Sequence, residues 1–396
     1  MTFKQINSTL VREMDKSHNV LSFRVLAVGK VFCKNAFCVV QFVTFVKNTI
    51  MVDKNASVLL IYTGGTIGMV ENAETGALEP FNFSHLRSNV PEMKRLNFNV
   101  ETYLFDPPLD SSDISPDNWK EITRVVQDNY TKYDGFVILH GTDTMAYTAS
   151  AMSLMMENLT KPVIFTGSQL PIGKLRTDGK ENLITALEIA ADKDSSRYPV
   201  APEVCVYMQN LLMRGNRTTK VNAENFSAFN CPNYPYLAVA GVNIRYEDKY
   251  ILQPQYNKPV NFYYDLDENV TILKLFPGIK KEMVDAILSV PGLKGVVLET
   301  YGSGNAPSDK WFIESLKSAV DKGIVIVNVS QCLSGTVEMF RYEAGQQLAK
   351  VGVASGYDIT TEAALAKLMI LLGEGKTPDE VRRLMEVSLR GELTVR

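Results

Sequence analysis

Two short turns that carry threonine side chains follow apolar stretches of this sequence. The first turn, residues 62–68 (YTGGTIG), contains Thr66, and the second, residues 140–144 (HGTDT), contains Thr142 and Asp143. The stretches before them, SVLLI and GFVIL, are short, apolar and partly β-branched, which predicts buried parallel strands. Because chemistry in open α/β sheets collects at the carboxyl ends of strands, the two turns predict a hydroxyl nucleophile with its activating partners.

The glycine pair in the first turn has more than one interpretation. Gly64 and Gly65 allow positive φ at little steric cost and leave backbone N–H groups open beside Thr66. Glycine pairs also occur in phosphate-binding loops and in ordinary tight turns. Neither GxGxxG nor GxxxxGK[ST] occurs in this chain, so the pattern does not support a nucleotide site.

Both turns resemble the signature segments of the bacterial-type L-asparaginases. The similarity continues through five further segments: 109–113 (LDSSD), 162–169 (PVIFTGSQ), 214–220 (RGNRTTK), 301–307 (YGSGNAP) and 389–393 (LRGEL). It extends from Lys54 to the C-terminus, and the segments 109–113 and 330–335 (SQCLSG) resemble the type I, cytoplasmic branch. The resemblance implies an α/β fold, with a larger N-terminal α/β domain that has a mainly parallel sheet and a smaller C-terminal α/β domain.

The order of the predicted elements also indicates two α/β domains. Strands are predicted at 57–62, 135–139, 162–166, 203–208, 270–275, 294–300 and 324–329, and helices at 146–158, 182–193, 280–289 and 308–321. We therefore predict an extension outside the fold (residues 1–53), an N-terminal domain with the nucleophile (54–245), a linker (246–268) and a C-terminal domain (269–396).

The resemblance implies a catalytic role for four residues. Thr66 is the implied primary nucleophile, which attacks the side-chain amide of L-asparagine and forms a β-aspartyl acyl-enzyme. Thr142, Asp143 and Lys220 form the implied second group, with Lys220 as a proton acceptor held by Asp143. A lysine amine serves as a base when burial or neighbours lower its pKa. Without the resemblance, Lys220 would be interpreted as a solvated loop charge, and His140 as a structural residue at a strand end.

A second set of residues is implied to bind the substrate. Asp110, Ser111 and Ser112, together with Thr142 and Asp143, are expected to hold the α-carboxylate and α-ammonium groups of the amino acid. The backbone of residues 167–169 could supply donors for the oxyanion. The Asp-Ser-Ser sequence is also common in simple turns, which is the interpretation that the residues alone favour.

One expected tyrosine is missing from its usual place. Members of the family carry a tyrosine on the mobile loop after the first signature, but residues 74–80 (ETGALEP) contain none. We predict that Tyr342 replaces it as the residue that assists the nucleophile. Asn305 matches the segment with which a neighbouring subunit closes each active site in this family, so a homodimer or homotetramer is expected.

A regulatory site near the domain interface is a further possibility that the resemblance raises. Ser330, Gln331, Cys332 and Thr361 match the region where type I enzymes bind a second asparagine. However, Glu299 stands where allosteric relatives have an arginine. Loss of a carboxylate-binding cation argues against allostery.

The composition limits the function classes. A net charge of −3 and a pI of about 5.8 do not indicate a protein that binds nucleic acid, which would need a basic surface. Five scattered cysteines and three histidines predict neither a disulfide framework nor a metal site, and no cofactor is expected. The apolar stretch 36–46 is too short to cross a membrane. We expect the true start to be Met51, which predicts a cytoplasmic enzyme. Removal of residues 1–50 should then leave its activity and thermal stability unchanged.

Three other functions remain open. A glutaminase-asparaginase of broader specificity acts on a substrate that is longer by one methylene group. An asparaginase-like subunit of a tRNA-dependent amidotransferase works with an RNA-binding partner. An amino-acid sensor without catalysis is disfavoured because Thr66, Thr142, Asp143 and Lys220 are all present.

Overall fold

The computed structural model describes residues 51–52, 56–71, 78–80 and 90–395. The predicted extension over residues 1–53 lies almost wholly outside the described residues, as does most of the loop 74–80. The expectations about residues 1–50 and about the start at Met51 therefore stay predictions.

Strands and helices alternate along the N-terminal part of the chain. Its strands are β1 (Met51–Val52), β2 (Ser57–Gly64), β3 (Met69–Glu71), β4 (Leu78–Pro80), β5 (Asn99–Leu109), β6 (Gly135–Leu139), β7 (Met156–Glu157), β8 (Val163–Thr166), β9 (Asp192–Lys193), β10 (Val204–Met208), β11 (Leu211–Arg214), β12 (Thr219–Lys220), β13 (Phe229–Asn230), β14 (Ala238–Ala240), β15 (Ile244–Tyr246) and β16 (Asn261–Phe262). Its helices are α1 (Pro116–Asn129), α2 (Met145–Met155) and α3 (Gly179–Ala191).

The C-terminal part repeats this alternation on a smaller scale. Its strands are β17 (Val270–Lys274), β18 (Gly295–Thr300), β19 (Val325–Ser330) and β20 (Ala354–Ser355). Its helices are α4 (Lys281–Leu288), α5 (Lys310–Asp321), α6 (Glu343–Lys350), α7 (Thr361–Gly373) and α8 (Pro378–Met385).

The larger sheet has eight strands in the order β15-β14-β11-β10-β8-β6-β2-β5. The five strands from β10 to β5 run parallel, whereas β11, β14 and β15 are antiparallel. Side chains of β2 alternate between two cores: Leu60 packs with Leu183 of α3, and Ile61 packs with Ile122 of α1. Since helices cover both faces, β6 is buried along its whole length and β2 is buried from Val58 onward, as their apolar runs predicted.

The direct pairing of β2 with β6 positions the first two turns. Tyr62 lies opposite Leu139, so both strands end at the same edge of the sheet. The turns that contain Thr66 and Thr142 leave from these two ends and are therefore neighbours, as the motif analysis predicted.

The smaller sheet contains β17-β18-β19-β20, and all its strands are parallel. Helices α4 and α5 cover one face, and α7 and α8 cover the other. Helix α7 also packs against α1 and α2 through Ile370, Trp119 and Met155, so both parts lie within one compact unit, Thr49–Arg396. The predicted α/β fold class is confirmed.

Candidate active site

Three segments meet at the carboxyl edge of the larger sheet, and glycines permit the approach. Gly65 has φ of +91°, and a Cβ atom there would lie 2.5 Å from the Cα atom of Gly141. A Cβ atom on Gly141 would in turn lie 2.4 Å from Ser111 Oγ. The hydroxyl of Thr63 donates to the Leu139 carbonyl at 2.9 Å and fastens the first turn to β6. Any side chain at either glycine would push these segments apart.

The converging segments enclose an open cleft of about 340 Å³. It is lined by Gly65, Thr66, Met69, Asp110, Ser111, Gly141, Thr142, Asp143, Gln169, Lys220 and Ala223. Thr66 follows Gly65 at the start of a short 3₁₀ turn, Thr66–Gly68, and is half-buried. The cleft is mostly polar, and its size suits a small polar molecule.

Lys220 joins the two residues of the second turn. Its Nζ atom lies 2.9 Å from Thr142 Oγ1 and 2.9 Å from Asp143 Oδ1. The Lys220 side chain is 19% exposed, whereas that of Asp143 is 66% exposed. The lysine is thus directed into the cleft and is not a solvated loop charge, which corrects the interpretation drawn from its sequence position alone.

The segment before Lys220 is held by buried polar contacts. Arg217 donates from Nε to the Gly391 carbonyl at 2.6 Å, and Thr219 donates to Glu362 Oε1 at 2.6 Å. Strand β12 also pairs with β13, which places Lys220 opposite Phe229. These contacts come from the far end of the sequence, so the position of the lysine depends on the whole fold.

Gln169 is a site residue whose side chain the sequence did not single out. Its Oε1 atom accepts from Thr142 Oγ1 at 3.2 Å, and its Nε2 atom donates to the carbonyls of Ala223 and Asn225. Its backbone N–H donates to the carboxylate of Asp178 at 3.1 Å. That N–H is therefore occupied, which corrects the expectation that residue 169 supplies a backbone donor for the oxyanion.

Asp178 is a second residue that the sequence did not lead us to single out, although its place before a helical stretch was a signal for it. It lies directly before α3 and accepts hydrogen bonds from the backbone of Gln169 and Leu170 and from Asn182. An aspartate before a helical stretch is a typical helix-start signal. Here the Asp178 carboxylate also holds the backbone of the segment from which the Gln169 side chain extends into the cleft.

His140 lies behind the second turn and does not line the cleft. Its Nδ1 atom is 2.7 Å from the Gly141 carbonyl, which can only accept, so Nδ1 carries the proton. Its Nε2 atom is then the acceptor for the Thr148 hydroxyl at 3.0 Å. Burial lowers the pKa of His140 from 6.5 to about 4, so the ring is neutral at physiological pH. This geometry supports the predicted structural role.

The three residues of the Asp-Ser-Ser segment have different surroundings. Asp110 and Ser111 line the cleft, but Ser112 does not. The backbone N–H and the hydroxyl of Ser112 both donate to Asp110 Oδ1 at 2.9 Å, which makes it part of a local turn. The Ser111 carbonyl accepts from Thr144 Oγ1 at 2.6 Å, which ties this segment to the second turn.

Tyr342 and Asn305 do not line the cleft of the chain that contains them. Tyr342 precedes α6, is 46% exposed, and has the Arg341 guanidinium 5.5 Å from its ring centre. Asn305 forms a tight turn in which it exchanges backbone hydrogen bonds with Tyr301. The role predicted for Asn305 involves a neighbouring subunit, and that predicted for Tyr342 is to assist the nucleophile; both stay predictions.

A second cavity, of about 360 Å³, brings together the four residues of the possible regulatory site. Ser330, Gln331, Cys332 and Thr361 all line it. Its charged side chains are Lys274, Glu299 and Glu362.

The two carboxylates of this second cavity are hydrogen-bonded. Glu299 accepts from Thr361 Oγ1 at 2.7 Å, and Glu362 accepts from Thr219, the residue before Lys220. Burial raises the pKa of Glu362. Lys274 pairs with Glu299 at 3.1 Å from a largely exposed position. The walls of this cavity therefore carry more negative than positive charge.

Two other kinds of site are absent from the part of the chain that the structure describes. There, no group of three or more His, Cys, Asp or Glu side chains is arranged to hold a metal ion. None of the helices described is long and apolar enough to span a membrane.

Known proteins resemble this chain in both halves. Residues 57–252 match the family model "Asparaginase, N-terminal", and residues 269–385 match "Glutaminase/Asparaginase C-terminal domain". L-asparaginase 1 of Escherichia coli (strain K12) is 44% identical over 353 residues, covering 85% of this chain and 98% of the relative. The 60 kDa lysophospholipase of Homo sapiens is 41% identical over 360 residues, covering 85% of this chain but 61% of the relative.

A solved structure shows the same architecture. L-asparaginase I from Vibrio cholerae superimposes with a TM-score of 0.78 at 41% sequence identity, covering 86% of this chain and all of that chain. Both family models, the sequence relatives and this structural match indicate the same family. The chain therefore belongs to the L-asparaginase family of amidohydrolases.

Proposed function

We propose that this protein hydrolyses L-asparagine to L-aspartate and ammonia through a covalent intermediate on Thr66. The observation that carries the proposal is the contact of one lysine with both Thr142 and Asp143 in the cleft that Thr66 lines. Hydrolysis of an amide needs a nucleophile, a group that accepts and returns a proton, and stabilisation of the tetrahedral oxyanion. Thr66 supplies the first, and the Thr142–Lys220 pair supplies the second.

In the first half-reaction, Thr66 Oγ1 attacks the side-chain carbonyl carbon of asparagine. Its proton passes to the Thr142–Lys220 pair, in which Lys220 is the proton acceptor. The carbon–nitrogen bond then breaks, and the same proton leaves with ammonia. Proton transfer by a positioned group contributes about 10²–10⁴ in rate.

In the second half-reaction, water attacks the β-aspartyl ester. The water gives one proton to the Thr142–Lys220 pair, the bond to Thr66 Oγ1 breaks, and that oxygen regains a proton. L-Aspartate leaves, and the enzyme returns to its starting state. This sequence uses no metal and no organic cofactor.

We assign substrate binding to polar groups at the cleft rim. The carboxylates of Asp110 and Asp143 attract the α-ammonium group, and Ser111 donates to the α-carboxylate. Ser112 stays outside this set because Asp110 already accepts its hydroxyl.

Glutamine is the nearest alternative substrate, because it differs from asparagine by one methylene group. Pocket discrimination on that scale is worth about 1–3 kcal/mol. We expect asparagine to be preferred with measurable glutamine turnover. The lysophospholipase relative raises another substrate class, but the described residues that line this cleft are mostly polar, which favours a small polar substrate. An amidotransferase subunit would pass its ammonia to a partner that acts on tRNA, so we expect this protein to hydrolyse asparagine without any partner.

The test is ammonia release from asparagine, glutamine and buffer alone, with the wild-type protein and the Thr66→Val variant. Valine is nearly isosteric with threonine but has no hydroxyl, so turnover should disappear while the thermal midpoint stays unchanged. Thr142→Val should also abolish turnover, and acid quenching of the wild-type protein during turnover should trap an aspartyl adduct on the peptide that contains Thr66. An adduct on any other peptide, or near-normal turnover by Thr66→Val, would refute the nucleophile assignment.

We also propose a type I, cytoplasmic homo-oligomer, at least a dimer, in which Asn305 and Tyr342 from one copy complete the cleft of another. The support is that both residues lie outside the cleft of their own chain. Sedimentation at assay concentration should show a dimer or tetramer. A fully active monomer would contradict this arrangement.

Regulation by a second asparagine is not expected. Glu299 and Glu362 in the second cavity would repel its α-carboxylate, while Lys274 is largely exposed and already paired with Glu299. We therefore expect hyperbolic saturation by asparagine. A sigmoidal curve that becomes hyperbolic in a Glu299→Gln variant would overturn this proposal.

A further inference from the structure

Thr144 stands at the start of α2 but its side chain does not cap the helix. A threonine in this place usually accepts a hydrogen bond from the backbone two or three residues further on. No such bond forms here. The Thr144 hydroxyl instead donates to the carbonyl of Ser111 at 2.6 Å, across 33 residues of sequence. The side chain therefore joins two segments of the cleft and leaves the end of its own helix without a side-chain cap.

This contact fixes the position of the Ser111 side chain. Ser111 is 6% exposed and lines the cleft. Its Oγ atom lies beside Gly141, so close that a Cβ atom on that glycine would be 2.4 Å away. Among the described residues, none forms a hydrogen bond with the Ser111 hydroxyl, whereas the hydroxyl of Ser112 donates to Asp110. The Ser111 hydroxyl is thus held at the cleft with its hydrogen available to a ligand.

The segment that carries Ser111 lies at the edge of the larger sheet. It follows β5, the last strand in that sheet, which pairs with β2 on one side. The pairing ends at Leu109 and Gly64, after an irregularity in register. Beyond that point, Asp110 accepts hydrogen bonds from within the same turn. The bond from Thr144 ties this turn to the neighbouring one, which leaves from the middle of the sheet.

We propose that Thr144 is a positioning residue for substrate binding, which holds the Ser111 hydroxyl where it donates to the α-carboxylate of the substrate. The inference rests on the proposed function and deepens it, because it assigns a residue that determines affinity and takes no part in proton transfer. Without the Thr144 hydroxyl, the Ser111 carbonyl loses its donor and the turn after β5 moves more freely. Ser111 then spends part of the time away from Gly141, and the α-carboxylate binds less tightly.

The test is the variant Thr144→Val, which is nearly isosteric with the wild type but lacks the hydroxyl. We expect KM for asparagine to rise about tenfold, equivalent to about 1.4 kcal/mol, with kcat within about twofold of the wild type. Because KM also depends on rate steps, binding is measured separately as competitive inhibition by two small molecules. The inhibition constant of L-aspartate, which has the α-carboxylate, should rise about tenfold. That of 3-aminopropanamide, which is asparagine without its α-carboxylate, should stay unchanged.

Two variants serve as controls. Thr144→Ser keeps the hydroxyl and should restore the wild-type KM. Thr377 also stands directly before a helix, α8, but its hydroxyl does cap that helix by accepting from the backbone of Glu380. Thr377→Val should therefore lower the thermal midpoint through loss of the cap and leave KM unchanged.

Four results would overturn the inference: an unchanged KM in Thr144→Val, a fall in kcat with KM preserved, an equal rise in both inhibition constants, or a Thr144→Ser variant that is as impaired as Thr144→Val. Failure of the proposed function looks different, because the wild-type protein itself would then release no ammonia from asparagine.

Discussion

His140 allows a pH-dependent contribution to stability to be calculated from one buried side chain. It is 1% exposed, and burial lowers its pKa from 6.5 to about 4. Because the folded-state pKa lies below the unfolded value, the unfolded chain binds more protons between pH 4 and pH 6.5. The contribution is therefore fully present above pH 6.5 and is lost as the pH falls towards 4. A difference of about 2.5 pKa units corresponds to about 3 kcal/mol.

The experiment compares the wild type with His140→Asn in urea unfolding between pH 4 and pH 7. The fluorescence of Trp119, which is 5% exposed, reports unfolding. Asparagine does not titrate in this range, so subtraction cancels every other ionisable group. The variant should be less stable at pH 7, because Thr148 loses its acceptor and a cavity forms. The difference in unfolding free energy should then shrink by about 3 kcal/mol from pH 7 to pH 4.

A constant difference across this pH range would refute the reasoning. So would an imidazole resonance of the folded protein that titrates near 6.5, because it would mean that the ring is solvated. Either result would also remove the argument that the proton on Nδ1 is fixed by the Gly141 carbonyl.

Three further predictions follow from buried or catalytic charges. Burial raises the pKa of Asp192 from 3.8 to about 6. The ionised carboxylate therefore destabilises the folded state fully above pH 6 and not at all below pH 3.8. In urea unfolding, Asp192→Asn should stabilise the protein by up to about 3 kcal/mol at pH 7 and by little at pH 3.5. Lys220→Met should lower kcat by at least about 10²-fold over a broad pH range with an unchanged thermal midpoint, and a smaller loss would count against its role as proton acceptor. Glu392→Gln removes the carboxylate that pairs with Lys367 at 2.6 Å in a site where both side chains are 0% exposed, so unfolding free energy should fall by about 3–5 kcal/mol, and a neutral effect in urea titration would contradict this.

Buried strands were the elements that the sequence predicted best. The strand predicted at 135–139 matches Gly135–Leu139, and that at 294–300 differs by one residue from Gly295–Thr300. Both are parallel strands with helices on both faces, so their apolar runs are continuous. Strand β5 was missed because it lies at the edge of the sheet, where exposed and partly buried residues are mixed and no apolar run forms.

The sequence by itself also determined the neighbourhood of Thr66 and Thr142. Each residue follows the end of a strand, and adjacent parallel strands end at one edge of a sheet. The position of a turn relative to its strand is a local property of the chain, so it could be predicted from spacing and residue type.

Only the tertiary structure decided what those threonines contact. Lys220 is 78 residues from Thr142 in sequence, and nothing local distinguishes it from a solvated lysine. The segment before it is held by contacts of Thr219 with Glu362 and of Arg217 with Gly391, far along the chain. The side chain of Gln169 contacts Thr142 while carbonyls of a distant loop accept from its amide nitrogen, and Ser112 donates to its own neighbour Asp110 and does not line the cleft. These contacts are long-range or depend on side-chain direction, so residue type and spacing do not determine them.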